Sequence, residues 1–241
     1  MWLGGSSARR SGLLVLRATM SAKGRKKQPK NNEEFFPTPE WCVDTIILSD
    51  LLKLPGGRWI EPCAGTGNII KAVNRLRDDV DWIVCELQEM FHDRFLRPLL
   101  RPGRDILLPP GDYVHREWPF PTADVLIMNP PFSLTMQFVE VSFVRAHHVL
   151  CLQRKGFFGT QSRAAWLAKY CPDDYSLWKR PSFRSDNSTD STEYSWYYWP
   201  PDPFCRVGLN HRARRTGRIA MLEPPKYQQS LMGEVAAEAA G

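Results

Sequence analysis

Asn129-Pro130-Pro131-Phe132 closes the apolar run Ala-Asp-Val-Leu-Ile-Met at 123–128. A run of that length and composition reads as a buried strand of a parallel sheet, and two prolines end it abruptly. The carboxyl end of such a strand is where open α/β sheets place their ligands. The residues that stop it have pointed chemistry. The Asn129 side-chain oxygen and the Pro130 carbonyl can both accept hydrogen bonds from a planar amino group. Held that way, the nitrogen is drawn out of conjugation and its lone pair is freed for attack. Phe132 can stack on the ring that carries the amino group, and Pro131 stiffens the turn between them. Most Pro-Pro pairs are no more than a turn after a core strand, so the tetrapeptide needs support from elsewhere.

Support comes from Trp59-Ile60-Glu61-Pro62-Cys63-Ala64-Gly65-Thr66-Gly67-Asn68-Ile69-Ile70, which reads as a short strand, a glycine loop and a helix start. Gly65 and Gly67 allow a tight turn and the close backbone approach that a nucleotide-like ligand needs. Ile70 stands where the dinucleotide fingerprint has its third glycine, which disfavours a pyrophosphate. Glu61 points the same way, because a carboxylate at the strand tip repels an anion and suits a cationic amine or a hydroxyl. A second strand ends at Glu86, about 20 residues beyond the glycines, the spacing of a ribose-hydroxyl acceptor.

In this order and spacing the segments resemble the S-adenosylmethionine-dependent DNA N6-adenine methyltransferases of the compact kind found in phages and prophages. Glu61 to Gly67 matches the family's cofactor loop and Asn129 to Phe132 its catalytic motif. Phe36-Pro37-Thr38-Pro39 resembles the segment that closes over the methionine end of the cofactor. Gly111-Asp112-Tyr113 resembles the third cofactor element, whose acid receives the cofactor's adenine amino group, with Asp105 as the rival. The resemblance thus implies cofactor contacts from Thr38, Glu61, Pro62, Ala64, Gly65, Gly67, Glu86 and Asp112, and catalysis by Asn129, Pro130, Pro131 and Phe132. Arg180-Pro181-Ser182-Phe183 and the segment from Thr189 to Trp196 resemble the later part of the phage-type enzymes, so the likeness runs from Phe35 to Trp199. It implies a class I methyltransferase Rossmann-like α/β fold, a mostly parallel sheet ending in an antiparallel hairpin. S-adenosylmethionine is the implied cofactor, and DNA carrying a flipped-out adenine is the implied partner. RNA N6-adenine enzymes and protein-glutamine methyltransferases share the tetrapeptide, and a non-catalytic nucleic-acid-binding subunit could retain the fold.

Composition narrows the setting. The 241 residues suit one domain of ordinary size, and no apolar run is long enough to span a bilayer. Cys42, Cys63, Cys85, Cys151, Cys171 and Cys205 show no metal or disulfide spacing, so they read as reduced thiols of a cytoplasmic protein. The histidines offer no metal-ligand spacing, and His147-His148 reads as packing or a solvated pair. Charge is segregated. Met1–Asn32 carries eight Lys/Arg and no acid, 33–140 has ten basic and seventeen acidic residues, and 141–241 has fourteen basic and nine acidic. The half after the catalytic motif is therefore the basic one. Lys155, Arg163, Lys169, Lys179, Arg180 and Arg184 form one cluster, and Arg206, Arg212, Arg214, Arg215 and Arg218 a second, as a phosphate-backbone partner requires.

The elements that must position these residues follow a βα alternation. Residues 1–32 read as a disordered basic arm, with a transit-like presequence or a start at Met20 as alternatives. The methyltransferase domain spans 33–200, and 201–241 is a basic segment with a loose tail. Thr38 is expected to cap a helix with Pro39 at its first position, running to about residue 52. Strands at 58–61, 82–86, 123–128 and 148–153 alternate with helices at 68–77, 88–96, 134–145 and 161–170. Residues 176–178 and 193–199 form the hairpin, joined by a polar stretch. One face of Trp196-Tyr197-Tyr198-Trp199 is core, and the other could offer aromatic surface to a base. About sixty residues separate the glycine loop from Asn129, too few for an inserted DNA-reading domain. Specificity should then be simple, or a second subunit must help.

Overall fold

Apolar runs too short for helices become the inner strands of one eight-stranded sheet, in the order β3-β2-β1-β4-β5-β7-β6-β8. The computed structural model describes residues 36–183, 192–201, 218–225 and 228. The basic arm, the polar hairpin loop, Arg184, Cys205 and the cluster at Arg206, Arg212, Arg214 and Arg215 lie outside the described residues. The strands are β1 (Gly57–Glu61), β2 (Val80–Val84), β3 (Ile106–Leu107), β4 (Ala123–Met128), β5 (Ala146–Arg154), β6 (Asp173–Ser176), β7 (Tyr194–Trp199) and β8 (Ile219–Met221). β1 pairs in parallel with β2 and β4, with Trp59 opposite Trp82 on one side and Val125 on the other. β4 pairs in parallel with β5, and β7 runs antiparallel between β5 and β6.

Period-two alternation divides the core between the two sheet faces. Trp59, Val125 and Ile127 join one cluster, while Ile60, Leu126 and Met128 join the other. The helices are α1 (Glu40–Ile47), α2 (Asn68–Leu76), α3 (Glu89–Phe91), α4 (Thr135–Ser142) and α5 (Gln161–Lys169). α1 and α2 are tied by Arg75, whose Nη2 lies 2.6 Å from the buried Asp44 Oδ1. No helix among the described residues is long and apolar enough to cross a membrane.

Several expectations need correction. Thr38 does not cap α1: Pro39 occupies that position without a side-chain cap bond, and the Thr38 hydroxyl is used elsewhere. α1 stops at Ile47, not near 52, because Ser49 Oγ takes the Leu51 N–H at 3.1 Å and offers the chain a turn instead. The helix expected at 88–96 is a single α turn followed by a π segment, His92–Leu96, and a 3-10 turn, Arg97–Leu99, where Pro98 lacks a donor. The first hairpin strand lies at Asp173–Ser176, earlier than expected. No aromatic face of β7 is open to a base, since all six of its residues are buried. The reason is its interior place: Trp196 and Tyr198 pack into one core cluster and Tyr197 and Trp199 into the other. β3 and β8, of two and three residues, had no expectation behind them.

Candidate active site

The chain runs outward from β1 to β2 and β3, then crosses back to β4. That reversal opens a crevice at the carboxyl ends of β1 and β4, where Glu61 and Asn129 stand. Glu61 is 1% exposed; its Oε1 lies 3.9 Å from Cys63 Sγ, and its Oε2 is buried with no hydrogen-bond partner among the described residues. Burial, reinforced by the neighbouring Glu86 charge, pushes the Glu61 carboxyl well above the usual carboxylate range. Glu86, two residues beyond β2, accepts the Gly65 N–H at 2.6 Å on Oε2 and the Gln88 N–H at 2.9 Å on Oε1. One buried carboxylate thus organises the glycine loop while retaining lone pairs for further donors.

Gly65 and Gly67 have positive φ of 51° and 75°, the left-handed region that favours glycine. A Cβ on Gly67 would stand 2.4 Å from Leu99 Cδ1, so this turn is also packed against the segment after α3. Pro62 is buried behind Glu61, and the Ala64 N–H extends the ladder to Cys85 O at 3.0 Å. Ile70, in place of a third glycine, is fully buried. The two rival acids lie at opposite ends of β3. Asp105 precedes it and is spent on structure, receiving the Trp82 N–H at 2.9 Å and pairing with Arg101. Asp112 follows it, next to Gly111, whose N–H reaches Glu86 O at 3.2 Å. Asp112 is half exposed and bonded to Val114 N and His115 Nδ1, and the His115 hydrogen bond holds its carboxyl below the usual range.

Asn129 is anchored from the segment that precedes α1. Its Nδ2 donates to Phe36 O and to Thr38 Oγ1, both at 3.0 Å. Its Oδ1 is buried and has no hydrogen-bond partner among the described residues. The Thr38 carbonyl in turn accepts from Asn68 Nδ2 at 3.0 Å, at the first turn of α2. Phe36, Thr38, Asn68 and Asn129 therefore knit the cofactor-loop helix to the tip of β4. Phe132 lies in an aromatic group, stacked on Phe36 at 5.2 Å and 14°, and tilted against Tyr194 at 6.1 Å. The Arg154 guanidinium sits over the same ring at 4.6 Å. A base stacking on the face that Phe36 covers has to displace that ring.

Among solved structures of similar fold is one from Pyrococcus horikoshii assigned as an RNA methyltransferase. It has a TM-score of 0.55 and 16% identity, over 71% of this chain and 89% of that one. The type I restriction-modification methyltransferase subunit of Streptococcus thermophilus gives 0.52 at 16% identity, over 68% of this chain and 44% of its own length. A dimethyladenosine transferase from Plasmodium falciparum gives 0.51 at 14% identity, covering 72% and 66%. The chain has the class I methyltransferase fold. At this identity the likeness carries the architecture alone, and the chain spans less than half of the restriction-modification subunit. No protein-family model and no curated protein sequence matches it.

Within this methyltransferase fold, sequence reasoning missed Arg154 and Asn68. Arg154 ends β5, which the sheet order sets beside β4, and its Nε also donates to Tyr194 OH at 3.0 Å. A strand-final cation was visible in the sequence, but its neighbour was not. Asn68 reads as an ordinary helix-start residue, and only the fold reveals that its amide holds the Thr38 backbone. Among the described residues no cluster of His, Cys, Asp and Glu could hold a metal ion.

Proposed function

We propose that this chain transfers the methyl group of S-adenosylmethionine to the N6 amino group of adenine in DNA. The observation that carries the reading is Asn129 Oδ1, a buried acceptor at the tip of β4 without a partner among the described residues. An orphaned acceptor of this kind costs roughly 1–3 kcal/mol, which suits a group reserved for an incoming donor. An exocyclic amino group brings two N–H donors, one for Asn129 Oδ1 and one for the Pro130 carbonyl. Their pull leaves the nitrogen lone pair free, and Pro131 keeps the two acceptors in fixed relation. Phe132 supplies the apolar ring against which the base is held.

The neighbouring pocket suits the cofactor by the chemistry of its donor and acceptor set. The acidic pair Glu61 and Glu86 offers a pyrophosphate no cation, whereas a cationic, hydroxyl-rich ligand meets a Glu61 oxygen without a partner among the described residues and the lone pairs of Glu86. Pro62, Ala64, Gly65 and Gly67 provide close backbone approach, Thr38 flanks the loop, and Asp112 offers an acid beyond β3. Bound there, S-adenosylmethionine supplies an electrophilic methyl group on a cationic sulfur. The chain's own contribution is orientation and exclusion of water, with no side chain required as a base before transfer.

DNA is favoured as acceptor by charge at this edge of the sheet. Arg154 ends β5 and Lys155 opens the 3-10 turn that follows, Arg163 bonds Phe157 O in that turn at 3.1 Å, and Arg180 pairs with Glu193 beside Lys155. Lys179 lies over Trp41 and Trp178 next to the start of α1. Lys169 ends α5 next to Tyr170, whose carbonyl bonds Trp199 at the far end of β7, away from this group. An adenine in a duplex cannot reach a strand tip without being flipped out of the stack. The test is incubation with labelled cofactor and separate DNA, RNA and protein acceptors, followed by nucleoside mass spectrometry. N6-methyladenine in DNA supports the proposal. Label in RNA, in N4-methylcytosine or only in protein moves the acceptor, and no transfer at all favours a binding subunit.

A further inference from the structure

We infer that Thr38 is a positioning residue for the catalytic amide rather than a cofactor contact, an assignment that rests on the reaction proposed above. A primary amide has two ends of similar shape and opposite chemistry, and a half-turn about its last bond exchanges them. Methyl transfer to an amino group needs the oxygen end facing the substrate. With the nitrogen end outward, Asn129 would present donors to donors.

The Phe36 carbonyl forbids that half-turn, and the Thr38 hydroxyl fixes the amide in the orientation it leaves. Phe36 O is a carbonyl and can only accept, so the group facing it must be the Asn129 NH2, at 3.0 Å. Thr38 Oγ1 takes the second hydrogen, also at 3.0 Å. With both hydrogens held, Oδ1 is left as the unpartnered buried atom. Thr38 is itself fixed, being 5% exposed, set between Pro37 and Pro39, and held through its carbonyl by Asn68 Nδ2. Thr66 Oγ1 donates to Asn68 Oδ1 at 3.2 Å, so the chain of contacts begins in the glycine loop. Of the two acceptors that hold the Asn129 amide, the Thr38 hydroxyl is the one that a substitution can remove without touching the backbone. The Phe36 carbonyl stays in place when it goes, so the amide loses half of its restraint.

The experiment compares wild type with Thr38→Val, which keeps the shape and removes the hydroxyl, with Thr38→Ala as a second deletion, and with Thr38→Ser, which restores the hydroxyl. Three quantities are read: kcat at saturating cofactor on adenine-containing DNA, cofactor Kd by calorimetry, and the side-chain amide signal of Asn129 by NMR, identified by its absence in Asn129→Ala. Thr38→Val and Thr38→Ala should lower kcat by about tenfold, the worth of one orienting hydrogen bond. Cofactor Kd should stay within about twofold, since no cofactor hydrogen bond is removed. Both deletions should shift the Asn129 amide signal, and Thr38→Ser should return signal and turnover towards wild type. A large rise in cofactor Kd with kcat retained would make Thr38 a cofactor contact and overturn the inference. An Asn129 signal indifferent to Thr38→Val overturns it too, whatever happens to turnover. If wild type methylates no adenine while the signal still responds, the proposed reaction fails and takes the positioning role with it, leaving only the hydrogen bond.

Discussion

Asn129 is where the proposed reaction is most exposed to test. Asn129→Ala should retain the fold and the cofactor affinity, because the side chain sits at the strand tip outside the packed core. It should lower methyl transfer by orders of magnitude, since the amino nitrogen loses the acceptor that aligns it. Asn129→Asp separates the two ends of the amide. It keeps an oxygen for the substrate but turns another oxygen towards Phe36 O and Thr38 Oγ1, where donors stood. Its thermal midpoint should therefore fall below that of Asn129→Ala, a comparison that calorimetric melting makes directly. Glu61 gives a second residue-scale prediction, with a defined sign. Its native carboxyl holds a proton that the unfolded chain has released above about pH 4.3. The associated stability is complete below that pH and is lost as pH rises through the raised native pKa. A cationic ligand beside Oε2 favours the ionised form, so cofactor binding should release a proton and tighten as pH rises through that value. Glu61→Gln should abolish both the proton release, read by calorimetry in buffers of different ionisation heat, and the pH dependence of Kd. Identical proton release in Glu61→Gln would assign the linkage to another group.

At the scale of elements, the turn into α2 is held by backbone geometry and by packing, and the two can be separated. Gly67 has φ of 75°, and a Cβ there would stand 2.4 Å from Leu99 Cδ1; Gly103 has φ of 77°, with nothing within 4 Å. Gly103→Ala should cost about 1–2 kcal/mol for the left-handed backbone alone. Gly67→Ala should cost more by whatever Leu99 cannot yield, and should weaken cofactor binding as well; equal midpoints in thermal melting would remove the packing contribution. Sequence legibility divides along similar lines. β4 was read to its ends because an apolar run stopped by two prolines has one physical reading. The glycine loop was legible because its conformation demands glycine locally. β3 was not, since two residues show no periodicity, and α1 was overextended because its apolar pattern continues past the turn made by Ser49. The hold of Thr38 on Asn129 spans 91 positions and depends on where the segment before α1 crosses the sheet. Helix-capping rules assigned Thr38 its commonest local use, and tertiary structure gave it another.

At the scale of the molecule, charge separates along the chain much as the sheet separates its two tasks. The acidic stretch from 33 to 140 contains the pocket carboxylates, and the basic stretch beyond it supplies cations around the tips of β4 and β5. Net charge alone is a poor guide, because the eight cations of Met1–Asn32 exceed the whole-chain excess of +6. Placement is a better one. Lys155, Lys179 and Arg180 belong to segments that border the proposed catalytic edge without touching Asn129, and Lys179 and Arg180 follow Trp178 directly. If they meet the phosphate backbone, replacing all three by alanine should weaken DNA binding without preference for sequence. The dependence of log affinity on log salt should become shallower by about 0.9 for each phosphate that the variant no longer neutralises. Cofactor affinity should remain that of wild type, since none of the three contacts Glu61, Glu86 or the glycine loop in the structure. Removing Met1–Asn32 gives the contrasting case: loss of unspecific charge should weaken binding at low salt and leave turnover nearly intact. Titration of both variants by fluorescence anisotropy across a salt series distinguishes the two sources. A triple variant with the wild-type slope would place the DNA away from this edge, and with it the path of the adenine to Asn129 would have to be redrawn.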